Sequence, residues 1–231
     1  MIEVLDKGYI ELLAYLGGDL TNVNAAKATH EKRANRLDEK GERLLGYLAE
    51  NAETTPFRHT VVQLRIKAPE FVARQWYKHV VGAPYGFPDL PWSEFSQRYT
   101  EVNEEDWHVP AAWRSQSGKQ TSGGPLDDEA QERCTGLYEQ QRCTALSMYR
   151  TLLAHGVARE QARIVLPLAV YTTWVWTPSL QACVHFAALR DHSKAQYEIR
   201  EYAKALTEMV RPIAPTSWDR LMEAHPLRRG S

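Results

Sequence analysis

An α+β fold, a small sheet carried by long helices, is what three features of this 231-residue chain predict. The N-terminal stretch MIEVLDKGYIELLAYL alternates apolar and polar residues, the period of a strand. Two runs rich in β-branched and aromatic residues, HTVVQLRIKA and VYTTWVWT, read as further strands. Around them lie segments with apolar residues at helical spacing, the longest from Asp127 to His155. With 43% hydrophobic residues, the whole of 1–231 suits one globular domain. A chain of this size buries roughly 70–75% of its unfolded surface and needs no disulfide or metal staple.

In chain order, the N-terminal stretch is a strand or strand pair that closes on the turn Gly17-Gly18-Asp19. Asp19 then caps a short helix through NVNAAKAT. Leu44, Leu45 and Leu48 mark a helix over Glu42 to Asn51, and Thr54-Thr55-Pro56-Phe57 breaks the pattern. The next strand puts Val62, Leu64 and Ile66 on one face, and Pro69 opens a helix carrying Phe71, Val72, Gln75, Trp76 and His79. Ser115 to Leu126, SQSGKQTSGGPL, is a polar Gly/Ser loop, either a mobile flap or a plain linker. It lacks the spacing of a phosphate-binding P-loop. The long helix from Asp127 stops at Gly156. A helix from Arg159 to Pro167, the strand Val170 to Thr177, a helix from Pro178 to Leu189 and one from Ser193 to about Val210 follow.

Composition narrows the function. A formal charge of −1 gives no global basic field, which argues against nucleic-acid binding and leaves any anion to a local cation cluster. The three cysteines, Cys134, Cys143 and Cys183, have neither disulfide-framework parity nor metal-ligand spacing, so no metal site is expected. They fit a reducing, cytoplasmic setting. The N-terminus lacks the pattern of a signal peptide, and no run of 18 apolar residues spans a membrane. No G-x-S-x-G elbow supports a nucleophilic serine. Gln181 and His185 share a helix face. Arg163 and Arg190 each lie near the end of an apolar helix, a setting suited to clamping a phosphate or a planar carbonyl.

Taken together, DKGYIELL, AETTPFRH, KAPEFVARQWYKH, SEFSQRY, ARIVLPL, YTTWVWT and FAALR with AQYEI resemble the flavin-dependent thymidylate synthases in order and spacing. That family's signature is Arg-His-Arg, seven residues, then Ser. Here Lys78-His79-Val80 is followed by fifteen residues before Ser96, the extra eight lying in VGAPYGFPDLPW. The enlarged loop thus joins two polar clusters that, in the family, hold one flavin–nucleotide stack from two sides. The resemblance implies a homotetramer, FAD stacked on the pyrimidine of a uridine monophosphate, methylenetetrahydrofolate as carbon donor and NADPH as reductant. Carried over by position, Gln75, Lys78, Glu94, Ser96, Arg98, Arg163 and Arg190 would bind the nucleotide. Arg190 would also polarise the pyrimidine for reaction. Thr55, His79, Glu94, Ser179, Gln181 and His185 would meet FAD. Lys78 and Val80 replace signature arginines, Glu53 stands where many members have His, and Ser179 where Asn is usual. The altered signature resembles that of a retuned site, so dUMP and UMP both stay open as substrates, the latter as in the UMP methylases of nucleoside-antibiotic pathways. A non-catalytic nucleotide- or flavin-binding paralogue is the alternative.

Overall fold

In the computed structural model the described residues are 1–79, 92–94, 101–103, 106–118 and 121–227. The N-terminal alternation folds into a strand pair, β1 (Ile2–Val4) and β2 (Gly8–Leu16). Gly8 is required by close approach: a Cβ there would sit 1.8 Å from the Tyr202 hydroxyl and 2.7 Å from the Lys67 carbonyl. Helices α1 (Asp19–Lys27) and α2 (Glu39–Glu50) follow, then a 3₁₀ turn over Thr55–Arg58. Strand β3 (Val61–Pro69) runs into α3 (Glu70–Trp76). Beyond β4 (Trp92–Glu94) come β5 (Arg114–Ser117), β6 (Thr121–Pro125) and α4 (Asp128–Ala154). The one-turn α5 (Arg159–Ala162), β7 (Tyr171–Trp176), α6 (Leu180–Arg190), α7 (Tyr197–Val210) and α8 (Pro215–Ala224) complete the fold.

The main sheet is antiparallel throughout, in the order β1-β2-β3-β7-β4, with a bulge in β2 between Leu12 and Ala14. Val62, Leu64 and Ile66 are fully buried, as their alternation predicts. They face a core built with α6, α7 and α8 around Trp76, whose ring stacks on Phe186 at 4.1 Å and meets Trp174, Trp176 and Tyr202 edge-on. A smaller core joins Ala145, Leu146 and Tyr149 of α4 to Trp107 and Val170. Asp6 ties three segments together. Its carboxylate accepts from the Val109 N–H (3.0 Å) and the Tyr171 hydroxyl (2.6 Å), and lies 2.5 Å from His108 Nδ1.

Several predicted boundaries move. Pro69 ends β3 rather than opening α3, because its extended backbone (ψ 148°) still belongs to the strand. Helix α3 stops at Trp76, so Lys78 and His79 lie beyond it. Pro178 precedes α6, whose cap is Ser179. Asp19 is inside α1 and does not cap it. Its carboxylate instead accepts from Thr216 N (3.0 Å) and Ser217 N (2.7 Å), capping α8 from the far end of the chain. The Gly/Ser segment is not a loop but the two-stranded hairpin β5–β6. Helix α4 keeps its predicted limits: Asp127 caps it and Gly156 takes a left-handed φ of 82° after it. Helix α8 lies past the last predicted element. Among the described residues no helix is long and apolar enough to cross a membrane.

Candidate active site

Four of the sequence-predicted residues lie on or beside α6. The Ser179 hydroxyl accepts from the Ala182 N–H at 3.3 Å, and the residue is only 5% exposed. It shapes the start of the helix that carries Gln181, His185 and Arg190. Gln181 and His185 share one half-buried face. Gln181 Oε1 accepts from Arg58 Nε at 2.7 Å, which leaves the Gln181 amide N–H groups without a partner among the described residues. His185 Nδ1 lies 3.2 Å from Nε2 of His225, just past α8, so one of those rings donates to the other.

Arg190 is the last residue of α6, where the helix dipole favours a cation. Its Nε–H donates to His79 Nε2 at 2.9 Å. His79 also meets Phe186 edge-on, at 4.9 Å between ring centroids, and faces His185 at 6.1 Å. Burial first, and then the Arg190 charge and His185, press the His79 pKa down to about 4. At neutral pH the ring is uncharged, accepts at Nε2 and therefore carries its proton on Nδ1. Burial also lowers the pKa of Arg190. The terminal nitrogens of Arg190 form no hydrogen bond among the described residues, so its fork is available. Thr55, exposed, opens the 3₁₀ turn that ends at Arg58 and so brings it beside this cluster.

A second group lines a cleft of about 570 Å³ between α3, β4 and the segment after α5. Arg163, Arg74, Glu70 and Glu94 converge there, and Glu94 accepts from the Thr172 hydroxyl at 2.8 Å. Burial, and then the charge of Glu94, push the Glu70 carboxyl above its ordinary range, while Arg74 and Arg163 pull it back. Neither guanidinium makes a hydrogen bond among the described residues, which leaves both able to meet an anion.

Gln75 bonds Gln196 across from α3 to the residue before α7, at 2.6 Å. Lys78 is exposed on the turn after α3. Ser96, Arg98, Val80 and most of the enlarged loop lie outside the described residues. Arg58 in AETTPFRH, with Gln196 and Glu198 in AQYEI, lies in the blocks that carry the resemblance but has no role assigned from it, and the fold brings these three, with Arg114 and His225, to these groups. Cys183, fully buried with its thiol pKa driven up, is a packing residue. Among the described residues no three of His, Cys, Asp and Glu converge as a metal-ligand set.

Comparison with known proteins places this arrangement. Residues 11–216 match the model of the thymidylate synthase complementing protein family. A flavin-dependent thymidylate synthase of Thermus thermophilus is 38% identical over 94% of this chain and 76% of its own length. That of Thermosipho africanus is 34% identical over 96% and 93%. The crystal structure of a UMP/dUMP methylase from Streptomyces cacaoi bound with 5-Br UMP superposes with a TM-score of 0.80 at 26% identity, covering 96% of this chain and 97% of that one. The same methylase bound with 5-Br dUMP gives 0.80 at 29% identity. The small antiparallel sheet and the long helices are thus those of a relative: the chain belongs to the thymidylate synthase complementing protein family, the family of the flavin-dependent thymidylate synthases.

Proposed function

We propose that the protein catalyses the FAD-dependent reductive C5-methylation of a uridine 5′-monophosphate, with dUMP, UMP or both as substrate. Methylenetetrahydrofolate gives the one-carbon unit and leaves as tetrahydrofolate, and NADPH gives the hydride that completes the methyl group. The observation that carries this reading is Arg190, a half-buried guanidinium anchored at one nitrogen by a neutral histidine, with its fork free. Such a fixed cation suits a pyrimidine carbonyl edge on which negative charge grows during reaction. A relative named a flavin-dependent thymidylate synthase and a structural neighbour named a UMP/dUMP methylase support the substrate class.

The residues beside Arg190 fit a flavin. An isoalloxazine rim presents alternating acceptors with one N–H, and its diphosphate is anionic. The free Gln181 amide hydrogens, the His79 Nδ1–H, the Thr55 hydroxyl and the remaining Arg58 donors match that set. When bound, FAD supplies hydride transfer. The chain's own part is to orient and to hold charge. Arg190 fixes His79, His79 offers a neutral planar face, and Arg163 with Arg74 holds the phosphate in the cleft. Lys78 contributes a point charge where the family has a fork. Association as a homotetramer is part of the proposal, supported by α4, which exposes Leu137 (67%) and Met148 (49%).

The test is spectroscopic. Protein incubated with FAD and a uridylate is expected to retain a flavin absorbance band that NADPH bleaches. A preparation that never binds FAD, even with nucleotide present, would overturn the proposal.

A further inference from the structure

A glutamine amide is ambidextrous, and its neighbours decide which end faces a ligand. At Gln75 a carboxylate two residues further along a hydrogen-bonded chain makes that decision. Glu198, in the first turn of α7, is 6% exposed and accepts from Arg114 Nη2 at 2.6 Å. Burial alone would raise its pKa, but the Arg114 bond and its other donors outweigh that and keep it low, so the carboxylate can only accept. Its second oxygen takes the Gln196 Nε2 hydrogen at 2.8 Å. Gln196 must then turn its own oxygen the other way, where Gln75 Nε2 donates to it at 2.6 Å. The remaining Gln75 N–H goes to the Phe71 carbonyl at 3.3 Å. Both Gln75 donors are engaged, and Oε1 has no partner among the described residues.

We infer that Glu198 is a positioning residue that, through Gln196, holds Gln75 as a pure acceptor toward the nucleotide; this rests on the methylation reading above. The group that meets Gln75 must therefore donate. A uridylate has two kinds of donor, a sugar hydroxyl and the ring N3–H, while its carbonyl and phosphate oxygens would meet a lone pair and be repelled. Arg114 belongs to β5 and lies over the Tyr197 ring at 4.6 Å, so the same chain anchors the β5–β6 hairpin to the nucleotide-facing helix.

Glu198→Gln is nearly isosteric and reverses the chain. Arg114 claims the new amide oxygen, its N–H₂ faces Gln196, Gln196 turns, and Gln75 shows N–H outward. Calorimetric binding of dUMP is expected to weaken about tenfold, the scale of one lost hydrogen bond with its partner left unpaired. Two analogues identify the donor: 2′,3′-dideoxyuridylate lacks the 3′-hydroxyl, and N3-methyl-dUMP lacks the ring N–H. Wild type should lose affinity for one of them, and Glu198→Gln should bind that analogue and dUMP alike. Gln75→Met, which removes the acceptor and leaves Glu198 in place, should show the same pattern and serves if Glu198→Gln fails to fold. Equal losses on dUMP and both analogues, or dUMP binding within twofold of wild type in a folded variant, would overturn the inference. Side-chain amide NMR of selectively ¹⁵N-glutamine-labelled protein without nucleotide reads the orientation alone. An unchanged Gln75 signal in Glu198→Gln refutes the relay. A wild type that binds no uridylate refutes the methylation reading instead.

Discussion

Arg190→Lys separates the two things Arg190 does. Lysine keeps the positive charge and its favourable place at the C-terminus of α6. It loses the flat fork and the Nε–H that meets His79 Nε2 at 2.9 Å. The first loss turns a bidentate grip on the pyrimidine into a single-point contact, about 1–3 kcal/mol for one charge-assisted hydrogen bond. The second leaves a half-buried histidine nitrogen without its donor, about 1 kcal/mol more of disturbed positioning. Together, about 2–4 kcal/mol, these predict a fall in kcat/KM for the nucleotide of about 30-fold to 10³-fold. Stability should change by less than about 1 kcal/mol, because the charge and the apolar stem remain. Steady-state methylation kinetics and a thermal melt read the two quantities separately. A variant within threefold of wild-type kcat/KM would refute the assignment of Arg190. A large loss accompanied by a collapsed melting transition would show a structural residue instead.

Three further outcomes follow from the geometry. Asp19→Ala should cost about 2–4 kcal/mol in urea unfolding, since it strips one buried and one part-buried N–H group of α8 of a charged acceptor, and Asp19→Asn should cost about half. His79 stays neutral in the fold, its pKa near 4 against an ordinary 6.5, so between those values the unfolded chain binds more protons. Its contribution is full above about pH 6.5 and is lost as the pH falls toward 4. After allowance for solvent screening the loss is about 1–2 kcal/mol, and His79→Gln should flatten it in pH-dependent unfolding. Arg163→Ala should raise the nucleotide KM about ten- to a hundredfold, with a smaller effect on the nucleoside lacking phosphate, as competition binding would show.

Much of the fold was legible because its signals are local. The alternation of Val62, Leu64 and Ile66 is a property of five consecutive residues, and the cap and stop of α4 sit at its ends. The β5–β6 hairpin was not legible: its Ser, Gly and Gln residues carry no apolar alternation, and its pairing is settled by contacts such as Arg114 with Glu198, 84 residues apart. Asp19 reads as a local cap because sequence shows only neighbours, whereas its acceptors are claimed 197 and 198 residues away. At the site, Gln181, His185 and Arg190 announce themselves by shared helix faces and an unusual charge. Arg58 and His225 do not, since an isolated cation or histidine in a loop looks like any solvated side chain.

The most direct test of the account is a single reaction run with dUMP and again with UMP, each with FAD, NADPH and methylenetetrahydrofolate, followed by mass spectrometry of the nucleotide. The account predicts a product heavier by one methylene on at least one of them. Unchanged nucleotides in both reactions, from protein that still holds FAD, would contradict it and leave a binding protein in its place.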